Sequence, residues 1–264
     1  MVDARQAAYL EALGIDVYVR RGLAPKPAVA GVIAPDTVSG DSRDAAVGAA
    51  ATADGGDRTT AAPDRPSTGS EALDWDALRA TVSACERCAL HSTRTQTVFG
   101  VGNRAARWMF IGEAPGAEED RQGEPFVGRA GQLLTSMLKA LGLKREDVYI
   151  ANVLKCRPPG NRDPRPEEAR TCRGYLERQI ELVDPALIVA VGRVAAQTLL
   201  ETDAALARLR GRVHGLGARQ RPLMVIYHPA YLLRSPGEKR KAWLDLIEAK
   251  QVFQRLERGE QVLS

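Results

Sequence analysis

ALIVAVGRVAAQTLL, residues 186–200, is the stretch on which the fold turns. Its first seven residues are all apolar or glycine, the composition of a strand buried on both faces. A helix follows through Leu200. The same alternation recurs on either side. WMFIG at 108–112, VYIANVL at 148–154 and LMVIY at 223–227 read as further buried strands. Leu133, Leu134, Met137, Leu138 and Leu141 form a helical stripe, and residues 166–182 and 237–257 read as helices. Trp75, Leu78 and Val82 mark one more helix face, leading to Cys85. Strands alternating with helices predict an α/β protein, a three-layer αβα arrangement around a central, mainly parallel four-stranded sheet. In such folds the ligand site lies beyond the C-terminal strand ends. The loops that matter are therefore GEAPG, NVLKCRPPGNR, GR and HPAYLLR.

The globular part is expected over residues 71–264. Between Leu23 and Leu73 there is no Leu, Met, Phe, Tyr or Trp. Such a stretch cannot bury enough apolar surface to offset chain entropy, so residues 26–70 are expected to be a disordered linker. Residues 1–25 carry a short patterned segment that needs a surface to dock on. In it Asp3 can cap a helix through Leu13, and Ile15, Val17 and Val19 alternate with polar neighbours.

Composition narrows the class. The chain has 264 residues, 44% hydrophobic and 27% charged, with no apolar run long enough for a membrane span. The start carries acids and no continuous apolar core, unlike a secretory signal. Four cysteines are too few for a disulfide scaffold, and no internal period points to a repeat protein. A soluble intracellular protein is the expectation. Residues 1–70 hold 7 basic and 9 acidic side chains, so of the overall +4 the remainder carries +6. A basic globular part suits a polyanion such as nucleic acid, and equally a solvated, Arg-rich surface.

The cysteines stand as Cys85-x2-Cys88 and Cys156-x15-Cys172. Four thiolates in an intracellular chain point to tetrahedral zinc or an iron–sulfur cluster, against the plain alternative of unrelated buried thiols. The strand-end loops carry the remaining chemistry. Glu113 projects where the first strand ends. Phe126 sits between Gly123 and Gly128, on a tight loop rather than in a helix stripe. Asn152 is a lone amide closing an otherwise apolar run, where it needs a partner. His228 follows the fourth strand directly. Taken alone, the loop of Glu113 and Phe126 reads as a solvated Glu and a core Phe.

Together, GEAPG with PFVGRAG, Asn152 in ANVLKCRPP, the four cysteines and HPAYLLR resemble family 4 uracil-DNA glycosylases, over roughly residues 83–253. These are bacterial and archaeal repair enzymes with an iron–sulfur cluster. The resemblance implies hydrolysis of uracil from DNA within base excision repair. Phe126 would stack on a flipped uracil, and Asn152 would read its O4 and N3–H edge. Gly112, Glu113, Ala114 and Phe126 would wall out the thymine methyl. His228 would donate to uracil O2, and Glu113 would orient water or stabilise the cationic sugar. Other families of the superfamily place Asp or Asn in the first motif, whereas here Ala114 stands beside Glu113. Leu232 and Leu233 would form a wedge, with Arg234 and Arg193 on the DNA strand; the plain alternative is that whichever leucine points inward is a core residue of a helix start, and that Arg193 is a solvated surface charge. Cys85, Cys88, Cys156 and Cys172 would hold a [4Fe-4S] cluster, zinc being the alternative.

YLEALGIDVYVRRGLAPKP resembles the N-terminal peptide of the clamp-loader psi subunit, which binds the chi subunit. The resemblance implies a tether of residues 1–25 to the replication machinery, the alternatives being a helix that folds back on the core or an unrelated docking peptide. A monomer in the bacterial cytoplasm, associated with the nucleoid and with no membrane, is expected. Two competing readings are a non-catalytic nucleic-acid-binding module on the same fold and a zinc-stabilised structural protein. A third, a glycosylase that traps the sugar through a histidine in an inserted loop, is opposed by QLLTSMLKALGLKRED, which has neither.

Overall fold

The computed structural model of the protein describes residues 72–263. The expected docking segment 1–25 and linker 26–70 lie outside the described residues. Helix α1 (Trp75–Ser83) starts where Asp74 can cap it: the carboxylate accepts from the Asp76 and Ala77 N–H groups at 3.1 and 2.9 Å. The strands are β1 (Val101–Gly102), β2 (Trp108–Gly112), β3 (Tyr149–Asn152), β4 (Leu187–Val191), β5 (His214–Leu216) and β6 (Arg221–Ile226). They form one sheet of order β1-β3-β2-β4-β6-β5. The inner four are parallel, and β1 and β5 pair antiparallel at the two edges.

The sheet thus has six strands rather than the four expected. The inner four are the apolar runs read from the sequence. The extra edges are two and three residues long and only half-buried, so no apolar run marks them.

Between the strands lie α2 (Ala117–Gln122), α3 (Arg129–Leu141), α4 (Pro166–Val183), α5 (Arg193–Leu200) and α6 (Leu206–Leu209), and after the last strand come α7 (Pro229–Arg234) and α8 (Lys239–Glu257). Side chains alternate across β2. Met109 and Ile111 pack with α1, α4 and α5, through Leu78, Leu176 and Ala195 among others. Trp108 and Phe110 pack with α3 and α8, through Leu134, Met137 and Leu246. Two apolar layers therefore sandwich the sheet, as the continuous strand composition requires. None of the helices among the described residues is long and apolar enough to cross a membrane.

The chain leaves β2 for β3 on one side and later returns to β4 on the other. That reversal opens a crevice beyond the strand ends. The register brings Gly112 of β2 opposite Asn152 of β3, and Val191 of β4 opposite Ile226 of β6. Strand β3 is shorter than the apolar run 148–154 suggests. Its continuation instead ties down the loop after β2: Val153 N–H donates to the Gly112 carbonyl at 2.9 Å, and Leu154 N–H to that of Glu113 at 3.0 Å.

Candidate active site

A cleft of about 650 Å³ opens at these strand ends, and Glu113, Ala114, Phe126, Asn152 and His228 all line it. Asn152 is 2% exposed, yet its Oδ1 has no hydrogen-bond partner. A buried amide oxygen left unpaired costs about 1–3 kcal/mol, so this position asks for a ligand donor. Gly112 explains how Asn152 and Phe126 come together. A Cβ at residue 112 would stand 2.4 Å from Asn152 Oδ1 and 2.6 Å from Phe126 Cζ. Only a residue without a side chain leaves the slot between amide and ring open.

Phe126 is held in an uncommon backbone conformation, with φ at 55°. Three neighbours over-determine it. Glu119 of α2 accepts from the Val127 and Gly128 N–H groups at 3.0 and 3.1 Å. Arg145 donates to the carbonyls of Pro125 and Phe126 at 2.8 and 3.2 Å. Gly131 of α3 lets the Phe126 carbonyl approach to where a Cβ would meet it at 1.8 Å. The ring lies 5.7 Å from that of His228, tilted by 32°.

His228 is the N-cap of α7. Its Nδ1 accepts from the Ala230 N–H at 3.1 Å, which leaves the proton of a neutral ring on Nε2. Burial, reinforced by the Arg234 cation, pulls its pKa down to about 4. The imidazole is therefore a neutral donor at physiological pH. Gly192 gives it room, since a Cβ there would fall 2.8 Å from His228 Cβ. Glu113 is shifted the other way. Burial, with help from the Asp163 carboxylate and against the Arg193 cation, raises its pKa to about 7. A carboxyl poised there suits proton transfer.

The rim holds Arg193 and Arg234, both exposed and both lining the cleft. Arg193 pairs with Asp163 and also donates to Gln197. Leu232 departs from the sequence expectation. It is 1% exposed and packs in the layer formed by α3 and α8, so it is a core residue and not a surface wedge. Helix α7 is amphipathic, and Leu232 falls on its inner side. Leu233 is exposed, as is Tyr231.

Cys85, Cys88, Cys156 and Cys172 line one small cavity beside the sheet. No group of three or more His, Cys, Asp or Glu among the described residues has the geometry to hold a metal ion. The surroundings nonetheless fit an anionic, thiolate-bound group. Arg94 Nη1 lies 3.1 Å from Cys156 Sγ, and the buried Lys155 lines the same cavity. Lys155 also joins this cavity to the cleft, because its Nζ donates to the Asn152 carbonyl at 2.8 Å and to Gln179 Oε1 at 2.6 Å.

Sequence reading missed the residues that position others. Glu119, Arg145 and Asp163 look like surface charges in the chain, and no spacing marks them. Gly131 and Gly192 become meaningful only once their neighbours are known. Tyr231 was readable, since it lies inside HPAYLLR.

A family model described as "Uracil DNA glycosylase superfamily" matches residues 99–249. The chain is 51% identical over 172 residues to the type-4 uracil-DNA glycosylase of Archaeoglobus fulgidus, covering 63% of this chain and 85% of that one. It is 45% identical over 175 residues to the type-4 uracil-DNA glycosylase of Thermotoga maritima, covering 65% and 90%. With the type-5 uracil-DNA glycosylase of Thermus thermophilus it shares 31% over 160 residues, 48% of this chain and 73% of that one. With that match across the sheet, the cleft and its strand-end loops, the chain belongs to the uracil DNA glycosylase superfamily.

Proposed function

We propose that the protein repairs DNA by hydrolysing the N-glycosidic bond of uracil, releasing the free base and leaving an abasic site. The observation that carries this reading is the unpaired, buried Asn152 Oδ1 facing the Phe126 ring across Gly112. A base inside a duplex cannot reach such a slot, so the nucleotide must be flipped out. Stacking on Phe126 contributes about 1–3 kcal/mol. Asn152 Oδ1 accepts from uracil N3–H while its amide N–H donates to O4. Cytosine presents an acceptor at N3 and a donor at position 4, so it leaves both groups mismatched.

When the C1′–N1 bond breaks, its electron pair stays with uracil and the charge gathers on O2. The neutral His228 donates Nε2–H to that oxygen, a donor fixed in place before the charge develops. The sugar becomes cationic at C1′. A water adds there, and its proton passes to the Glu113 carboxylate. The same negative carboxylate stabilises the sugar cation before water attacks. Arg234, Arg193 and Leu233 are assigned to the DNA strand, as phosphate contacts and wedge.

Cys85, Cys88, Cys156 and Cys172 would hold the [4Fe-4S] cluster, with zinc as the alternative. Such a group, when bound, supplies a cross-link between the segment after α1, the loop after β3 and α4, and no redox step. Iron and sulfide in the purified protein, both lost in Cys172→Ala, are the expected result; zinc alone would contradict the cluster.

Residues 1–25 and 26–70 are assigned as docking segment and linker, tethering the enzyme to the clamp-loader chi subunit at the bacterial nucleoid. A pull-down with purified chi that is unaffected by deleting residues 1–25 would overturn the tether. The glycosylase reading itself is tested with a labelled oligonucleotide carrying one uracil. Release of free uracil with alkali-labile strands supports it, and an intact strand overturns it.

A further inference from the structure

Two aromatic rings at the mouth of the cleft take no part in this chemistry. Tyr227 follows β6, and Tyr231 lies four residues on in α7. Their rings stack, with centroids 5.1 Å apart and 29° between planes. Behind Tyr227 the Arg210 guanidinium lies 3.9 Å from the ring centroid. Arg210 is itself fixed, since Nε and Nη2 donate to the two carboxylate oxygens of the buried Asp245 at 2.7 and 2.8 Å. The result is a ladder, Asp245–Arg210–Tyr227–Tyr231, rooted in the interior and ending in a ring that is 36% exposed.

Both tyrosines line the cleft that holds Phe126, Asn152 and His228. That cleft, at about 650 Å³, is far larger than a single pyrimidine fills. An unsupported surface tyrosine would lose rotamer freedom on binding. A ring already braced by a stacked neighbour loses little, which favours affinity. Arg234 lines the same cleft three residues further along α7, where it can meet a backbone phosphate. Leu233, two residues from Tyr231, leaves the helix in a different direction. The two exposed apolar groups of α7 therefore serve different ends.

We propose that Tyr231 is the platform of a second base subsite, on which an unflipped base next to the uracil stacks. This rests on the reading of the chain as a uracil-DNA glycosylase, and adds which part of the strand is held besides the uracil. Every nucleobase has a π-face, so the subsite takes any neighbour and needs only that a base be present.

The test uses single-stranded oligonucleotides carrying one uracil, either complete or with a tetrahydrofuran abasic analogue on its 5′ or its 3′ side. KM for excision and Kd by fluorescence anisotropy are measured for wild type, Tyr231→Ala and Tyr231→Phe. For wild type, removing one of the two neighbours should raise KM and Kd roughly 5- to 100-fold. Tyr231→Ala should bind the complete and neighbour-less strands alike, and Tyr231→Phe, which keeps the ring, should retain the difference. Because the readout is a ratio between strands, partial misfolding of a variant cancels. Indifference of the wild type to both neighbours, or an undiminished ratio in Tyr231→Ala, would overturn the subsite. If the wild type released no uracil at all, the glycosylase reading would fail while anisotropy still decided the subsite.

Discussion

Glu113 and His228 stand in one cleft, and burial moves their pKa values in opposite directions, to about 7 and about 4. Burial disfavours charge in both, so the acid is raised and the base is lowered. The consequence for pH is specific. In the proposed mechanism Glu113 is ionised, to take a proton or to face a cationic sugar. Activity should therefore fall as pH drops through about 7, where the carboxyl becomes protonated. His228 is neutral well above about 4, so it should add no limb between pH 5 and 9. A kcat/KM profile of the wild type should show that one acidic limb. Glu113→Gln should lower the plateau by roughly 100-fold or more and abolish the limb. Full activity of Glu113→Gln across pH would remove Glu113 from the chemistry. At this scale the residues that meet in the cleft were legible in the sequence as candidates, because they are polar or aromatic groups at strand ends or in a glycine loop. Leu232 was not, since Leu232 and Leu233 are the same residue type, and only the rotation of α7 decides which is buried.

Between α2, α3 and the turn carrying Arg145, the Phe126 loop is held by contacts no single motif encodes. Gly131 lies inside α3, where alanine would ordinarily favour the helix by about 0.5–1 kcal/mol. Here the added Cβ would stand 1.8 Å from the Phe126 carbonyl oxygen, a backbone atom that cannot rotate away. The overlap wins, at about 1–3 kcal/mol. Gly131→Ala should therefore lower the melting temperature by several degrees and, by displacing Phe126, weaken kcat/KM. Unchanged melting and activity would mean that α3 and the loop are not clamped together. The elements themselves were plain in the chain, since continuous apolar strands and the α3 stripe state their own burial. The short edges β1 and β5 were not, because half-buried strands of two or three residues leave no periodic signal.

Over the whole molecule, the strand order of the parallel sheet reverses at β2, and the cleft forms beyond the strand ends at that reversal. The cysteine cavity sits beside the same ends, joined to the cleft through Lys155 and the Asn152 carbonyl. Fold class was legible from strand and helix alternation, but the shape of the slot was not, because it depends on Gly112 standing opposite both Asn152 and Phe126. The central claim is that Asn152 in this slot reads uracil. It is tested most directly by comparing strand cleavage, after alkali, of oligonucleotides carrying uracil, cytosine or thymine at one position, with wild type and Asn152→Ala. The wild type should act on uracil alone. Asn152→Ala should lose roughly 100-fold or more on uracil, the worth of about two buried hydrogen bonds. Equal rates for wild type and Asn152→Ala on uracil, or wild-type cleavage at cytosine as fast as at uracil, would contradict the account.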